Sequence, residues 1–394
     1  MQANNMQAND AVANRLPYTR FSGLTALSAV VGLLFCFLVG INGLGTGFKT
    51  LGGDFLHIFF AATENPFAGL LVGILATTLV QSSSVTTSMI VALCAAPEDP
   101  LPLVNAVPMI MGANVGTTVT NTMVSLVHVG GTDGEFRRAF EVATCHDFFN
   151  YLTIMLLLPL ELGFGFLSKL AARVSGTFVG FVGVSYESPL KSVLKQAFVP
   201  IKSLGGFLFS GHVAQAVVML GCSAALIIVS LLLLVRVMRE ALAEKVSNLL
   251  NRTIGRSGLL GIAVGVVVTM MVQSSSVTTS LLVPFAAGGL ITLQQAFPVT
   301  LGANVGTTIT AFLASLAVSG VNAHVGVEIA LVHVLFNVVG ILLIYPPKIV
   351  RRLPLRAAEA LADLAVRSRK WAIVYVVGMF YGVPMAILLL CELI

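Results

Sequence analysis

The chain has 394 residues, of which 57% are hydrophobic and only 10% are charged, and its mean hydropathy is +0.95. A soluble domain carries about 25% charged residues, so this chain cannot clothe a water-facing surface of its size and must be solvated largely by lipid. The net charge of +5 does not indicate nucleic acid, because the basic residues sit in short segments between apolar runs, where topology signals and contacts to anionic headgroups belong.

Residues 1–20 open with a polar, Asn-rich stretch and read as a disordered tail. The apolar run 24–48 is too long for the core of a signal peptide and reads as a retained first membrane helix. Further runs near the ~20 residues that a spanning helix needs lie at 103–128, 137–160, 206–235, 295–318, 325–345 and 371–391. Shorter apolar pieces lie at 67–80, 85–96, 258–272 and 277–291. A half-length piece cannot cross a ~30 Å core alone. Matched short, polar-interrupted segments in two halves are the mark of broken helices and re-entrant hairpins.

The segment 161–204, with Lys169, Arg173, Lys191, Lys195, Lys202, Pro189 and Pro200, reads as an amphipathic interfacial loop. The stretch 236–256 reads as a surface helix. The basic cluster of 348–370 is the best candidate for a cytoplasmic loop. The five cysteines lie far apart within apolar stretches, without metal-ligand spacing, and read as small buried side chains.

An internal repeat organises all of this. Val80–Ser88 and Val272–Ser280 both read VQSSSVTTS, and Gly112–Thr118 and Gly302–Thr308 both read GANVGTT. A weaker pair follows, HDFFN at His146–Asn150 and HVLFN at His333–Asn337. Three motifs recur in one order at a separation of roughly 190 residues, the sign of a transporter built from two related halves. The expected architecture is an all-α polytopic membrane protein with two inverted repeats, each with a re-entrant QSSS hairpin. It has about eight to nine spanning segments plus two hairpins. Residues 21–394 form one transmembrane domain: repeat one 67–160, interfacial connector 161–204, repeat two 258–345 and C-terminal helix 371–391.

The hydroxyls and amide of Gln81–Ser88 must be satisfied in hydrocarbon, where each unpaired polar group costs several kcal/mol. They are either helix–helix glue or a ligand site. Ser-rich turns that open a helix present free N–H groups and the positive end of the helix dipole, which suits an anion. Ser82, Ser83, Ser84 and their copies Ser274, Ser275, Ser276 are therefore candidate oxyanion ligands, with Asn114 and Asn304 beside them. The GANVGTT glycines would allow an unwound backbone that bares carbonyls to a hard cation, assisted by Thr117, Thr118 and Thr120 and their copies Thr307, Thr308 and Thr310. The competing reading is a tight helix crossing, since Gly112 and Gly116 have GxxxG spacing.

One carboxylate, Asp147, lies within the apolar run of the first repeat, where the second has Val334. An acidic residue at membrane depth is functional by default, and here it suggests an additional cation site; an interfacial carboxylate near Arg137 and Arg138 is the alternative. His146 and His333 read as packed, hydrogen-bonding imidazoles. No Lys or Arg lies in the core motifs. A divalent anion at mid-membrane then needs co-bound cations, which is a physical reason for coupling.

The paired QSSS repeats, the GANVGTT motifs and the segment FRRAFEVATCHDFFNYL resemble the type II sodium-phosphate cotransporters, including their bacterial members, across about 67–345. The resemblance implies a symporter of HPO4 2− and Na+ in a bacterial inner membrane, multi-pass, with Na+ as the co-transported ion and no organic cofactor. It implies a Na+ site of Gln273, Ser274, Thr307 and Thr310, matched in the first half by Gln81, Ser82, Thr117 and Thr120. It places phosphate on the QSSS serines. Family members that move net charge carry an Asp after the His of this segment, so Asp147 implies an electrogenic cycle with about three Na+ per phosphate. The 161–204 segment contains no Cys, where the family often has a larger, disulfide-bearing loop.

The expected partners are inorganic phosphate, Na+ and the lipid bilayer, with no nucleic acid; a homodimer is left open. The nearest alternative is a Na+-coupled dicarboxylate or other small-anion symporter, whose signature is a Ser-Asn-Thr turn. An ion channel leaves the duplicated QSSS unexplained. A serine hydrolase using Ser82 or Ser274 with His146 or His333 lacks a GxSxG turn.

Overall fold

A computed structural model describes residues 23–51, 63–97, 99–182, 189–318 and 321–392. These form helices joined by short turns, with no strand among the described residues. The order is α1 (Gly23–Leu51), α2 (Pro66–Val80), α3 (Ser83–Cys94), α4 (Leu103–Leu126), α5 (Asp133–Phe164), α6 (Phe166–Val182), α7 (Pro189–Leu208) and α8 (His212–Thr253). There follow α9 (Gly258–Val272), α10 (Ser275–Ala287), α11 (Leu293–Ala317), α12 (Ala323–Ile344), α13 (Lys348–Arg367), α14 (Lys370–Val377) and α15 (Val383–Glu392). A π-helical turn, Gly378–Gly382, joins the last two.

Six of the described helices are long and apolar enough to cross a membrane: α1, α5, α11, α12, the first three-quarters of α8, and the α14–α15 rod. The expected eight to nine counted α4 as well, whose 24 residues hold Asn105 and Asn121 besides the GANVGTT run. The hairpin arms α2 and α9, at 15 residues each, reach about 22 Å and cannot span alone. The disordered tail expected at 1–20 lies outside the described residues.

Local sequence sets the ends of these helices. At α2 the Asn65 side chain accepts from Phe67 N at 2.9 Å, and Pro66 supplies a preset φ at the first position. Thr132 with Glu135, and Thr292 with Gln295, form reciprocal capping boxes that open α5 and α11. α5 stops at Gly165, whose φ of +61° suits glycine.

Three expectations about the connections change. Over 161–204 the chain is largely helical, in α6 and α7, rather than a loop, because its amphipathic pattern is helical. The stretch 236–256 is mostly no separate surface helix: it continues α8, a single helix of 42 residues. The basic cluster 348–370 folds mainly into α13, which buries Ala358, Ala362 and Ala365. Its outer face reaches α5, where Arg137 pairs with Asp363 at 2.6 Å and with Glu141 at 2.7 Å. The guanidinium beside Asp363 holds that carboxyl below the usual carboxylate range. Just past α13, Arg369 binds Asp133 at 2.6 Å and covers the Phe136 ring at 4.1 Å.

In each half the hairpin arm crosses the GANVGTT helix at backbone distance. A Cβ on Gly112 would strike the Leu70 carbonyl, and one on Gly302 the Ile262 carbonyl. Both α4 and α11 run unbroken through the motif. The expectation of an unwound backbone is therefore corrected: the glycines serve close packing of α2 on α4 and of α9 on α11.

Candidate functional site

Each QSSS motif forms the bend of a hairpin. Gln81 ends α2 at φ +57° and Gln273 ends α9 at φ +58°. Glycine is the usual residue in this left-handed region, and a non-glycine there is strained. Both glutamines nonetheless occupy it, and both use their side chains in the same way. The amide nitrogen caps its own helix, Gln81 Nε2 to Thr78 O at 2.5 Å and Gln273 Nε2 to Met270 O at 2.6 Å. The amide oxygen accepts from a threonine two residues past GANVGTT: Thr120 to Gln81 at 3.0 Å, and Thr310 to Gln273 at 3.1 Å.

The next residue opens the second arm. Ser82 caps α3 by accepting from Val85 N at 3.4 Å, and Ser274 caps α10 by accepting from Val277 N at 3.3 Å. Two helix N-termini, with their unpaired N–H groups and positive dipole ends, thus meet at one place. Between them lies a cavity of about 80 Å3 lined by Gln81–Ser84, Gln273–Ser276 and Thr307. Ile228, Leu231, Leu232 and Val235 of α8 form an apolar wall. Sites for drug-sized molecules run to several hundred Å3, so this one suits a small ion. None of the described residues that line it is charged. A cross-repeat contact, Ser84 Oγ to Thr310 Oγ1 at 3.4 Å, joins the first hairpin to α11.

The structure therefore brings together Gln81, Ser82, Ser83, Ser84, Gln273, Ser274, Ser275, Ser276 and Thr307, with Thr120 and Thr310 behind the glutamines. It places Thr117 apart, its hydroxyl bonded to Ala113 O at 2.9 Å. Asn114 and Asn304 do not line the cavity. They belong to a buried polar cluster instead: Asn337 donates to Asn114 Oδ1 at 3.0 Å, Asn150 to Asn114 O at 2.9 Å, and Asn304 to Asn150 Oδ1 at 2.9 Å.

His146 anchors one side of that cluster, between Asn304 Oδ1 and Asn121, the latter at 3.3 Å. Asn121 in turn accepts from Thr279 at 2.7 Å and Ser280 at 3.1 Å, tying the second hairpin to the first repeat. The repeat-related position of Asn121 holds Ala311. Correspondingly, both ring nitrogens of His333 and the hydroxyl of Ser88 are buried without a hydrogen-bond partner. Neither His146 nor His333 bonds a QSSS serine, so the pair that the hydrolase reading needs is not formed between them.

Asp147 is fully buried on α5. Arg137 and Arg138 do not reach it: the first pairs with Glu141 and Asp363, the second caps α10 at Ala287 O, 2.7 Å. The interfacial reading of Asp147 is thereby set aside. Its partners are hydroxyls, Thr122 at 3.3 Å and Tyr375 at 2.8 Å, both to Oδ2. Sequence reasoning missed Asn121, Asn150, Asn337 and Tyr375 as members of these networks. Asn150 and Asn337 were visible as the last letter of the third repeated motif. Asn121 and Tyr375 have no repeat counterpart to signal them.

Two hairpins whose bends line one small uncharged cavity, beside six membrane-length helices among the described residues, define the architecture of a multi-pass membrane protein. The Na+/Pi-cotransporter family profile matches residues 36–184 and 226–354, and the chain belongs to that family. It is 32% identical over 454 residues to sodium-dependent phosphate transport protein 2B of Pongo abelii, covering 93% of this chain and 65% of the relative. It is 32% identical to the 2A protein of Rattus norvegicus, with 92% and 67% covered, and 33% identical to that of Ovis aries, with 93% and 68% covered. The chain thus spans 65% to 68% of the length of these relatives. No solved structure matches it.

Proposed function

We propose that the chain is a symporter that couples inward Na+ movement to the uptake of inorganic phosphate as HPO4 2−, in the cell membrane of a bacterium. The observation that carries this reading is the cavity where both QSSS bends meet without a fixed charge. Helix N-termini and hydroxyls can donate to phosphate oxygens. They do not neutralise a divalent anion in a low-dielectric site. Co-bound cations complete the balance, so phosphate binds well only when Na+ is present. No organic cofactor takes part.

In this reading Ser82–Ser84 and Ser274–Ser276 hold phosphate. Gln273, Ser274, Thr307 and Thr310 hold one Na+. Gln81, Ser82 and Thr120 hold another, supported by Thr117. Asn114 and Asn304 set the spacing of α4, α5, α11 and α12 around the site rather than touching the anion. Asp147 receives a third Na+, so one net positive charge enters per cycle. The membrane potential then contributes about 2.3 kcal/mol per charge per 100 mV to accumulation. The two related halves alternate access to the site as inverted repeats.

The test is uptake of radiolabelled phosphate into proteoliposomes under an imposed Na+ gradient, with K+ in place of Na+ as control. Saturable uptake that requires Na+ supports the reading. Folded protein without Na+-dependent phosphate uptake would overturn it, and Na+-dependent uptake of radiolabelled succinate would then identify a dicarboxylate carrier.

A further inference from the structure

Asp147 is buried, yet every hydrogen-bond partner of its side chain among the described residues is a neutral hydroxyl. Oδ2 takes the bonds from Thr122 and Tyr375, the Thr118 hydroxyl also faces the carboxylate, and Oδ1 is buried with no bond of ordinary geometry. A carboxylate left half-satisfied inside a membrane protein is costly, and it marks a place where something charged can be received. The hydroxyl of Tyr151, one turn further along α5, is buried beside that of Tyr375 with no bond of ordinary geometry.

The shorter of the two bonds comes from outside both repeats. Tyr375 lies on α14, in the C-terminal rod. Its ring is held by three others: Phe140 at 6.5 Å, Phe148 at 6.3 Å and Phe380 at 6.0 Å between centroids. The phenol is therefore fixed in place, and its O–H is aimed at one carboxylate oxygen. Three residues on, the helix widens into the π turn Gly378–Gly382. Such turns interrupt α-helices frequently at functional sites.

We propose that Tyr375 is the positioning residue of the Asp147 cation site. By holding Oδ2 it fixes the carboxylate rotamer and presents Oδ1 to a monovalent cation, with the Tyr151 hydroxyl available as a neutral oxygen ligand. The C-terminal rod is then part of the coupling apparatus rather than packing added to the repeats. This inference rests on the reading of Asp147 as a Na+ ligand, and its test separates the two.

The experiment measures phosphate uptake in proteoliposomes against Na+ concentration and against membrane potential. It compares wild type, Tyr375→Phe, Asp147→Asn and the double variant. Tyr375→Phe keeps the ring and its packing, and its thermal unfolding midpoint in detergent checks that the fold is intact. Loss of a hydrogen bond to a charged group raises the half-saturating Na+ concentration about tenfold in Tyr375→Phe. The phosphate KM at saturating Na+ moves by less than about twofold, since this bond does not touch the anion. In the Asp147→Asn background the same change adds nothing, because the partner it positions is gone. Wild-type Na+ activation in folded Tyr375→Phe would overturn the inference, as would an equal loss in the Asp147→Asn background. Asp147→Asn that keeps full potential dependence would instead remove the Asp147 reading, and the positioning role with it, while leaving phosphate symport standing.

Discussion

Thr310 donates to the amide oxygen of Gln273 across 3.1 Å, and Thr120 does the same to Gln81 at 3.0 Å. The bend of each hairpin is thus fastened to the helix it packs on by one hydroxyl. Replacing Thr310 with Val keeps the shape and removes the donor, at about 1 kcal/mol for a neutral hydrogen bond. The expected outcome is a rise of roughly fivefold in the Na+ concentration for half-maximal phosphate uptake. Uptake titrated with Na+ in proteoliposomes checks it, and Thr117→Val, whose hydroxyl turns to its own helix, should shift that value less.

Gly302 lies against the Ile262 carbonyl with no room for a side chain. Gly302→Val forces α9 away from α11, and overpacking of this kind costs about 1–3 kcal/mol or more. A lowered thermal unfolding midpoint in detergent, with loss of uptake, is expected. Gly32, with open space around it, should accept Ala with little change in the same assay.

Asp147→Asn removes the one carboxylate bonded to Tyr375. Phosphate uptake should persist with Na+ but lose its acceleration by an inside-negative potential. At 100 mV, one net charge corresponds to more than a tenfold change in the limiting gradient. Accumulation measured at two clamped potentials reads this directly.

Arg138 caps the end of α10 with bonds to Ala286 O at 3.0 Å and Ala287 O at 2.7 Å. A cation at a helix C-terminus is favoured by both the carbonyls and the dipole. Arg138→Gln should destabilise the second hairpin by about 1–3 kcal/mol. Faster proteolysis or deuterium exchange confined to 275–290 would record it.

The paired hairpins were legible because two properties coincide in the sequence: segments too short to span, and a polar motif copied without change. The role of GANVGTT was not, since a glycine can loosen a backbone or admit a neighbour, and only the carbonyls of Leu70 and Ile262 decide between them. Asn114 and Asn304 stand in the same motif as the site threonines, yet the helix turns their amides toward α5 and α12. The helices of 166–208 were hidden because an amphipathic pattern on a polar background suits a surface loop as well as a helix. Tyr375 gave no signal at all: it reaches Asp147 from more than two hundred residues away, and no second copy marks it.

The substitution of Ala311 for Asn121 leaves the molecule lopsided in a way its near-duplicate wording conceals. The second hairpin is moored to the opposite half by an amide and to α5 by a guanidinium. The first holds a 3.4 Å hydroxyl contact and the Asn322 amide on Ala96 O at 2.7 Å, and it buries eleven of the twelve residues of α3 where the second buries seven of the thirteen in α10. Two arms of like sequence are therefore seated by different means, the first by burial and the second by polar moorings.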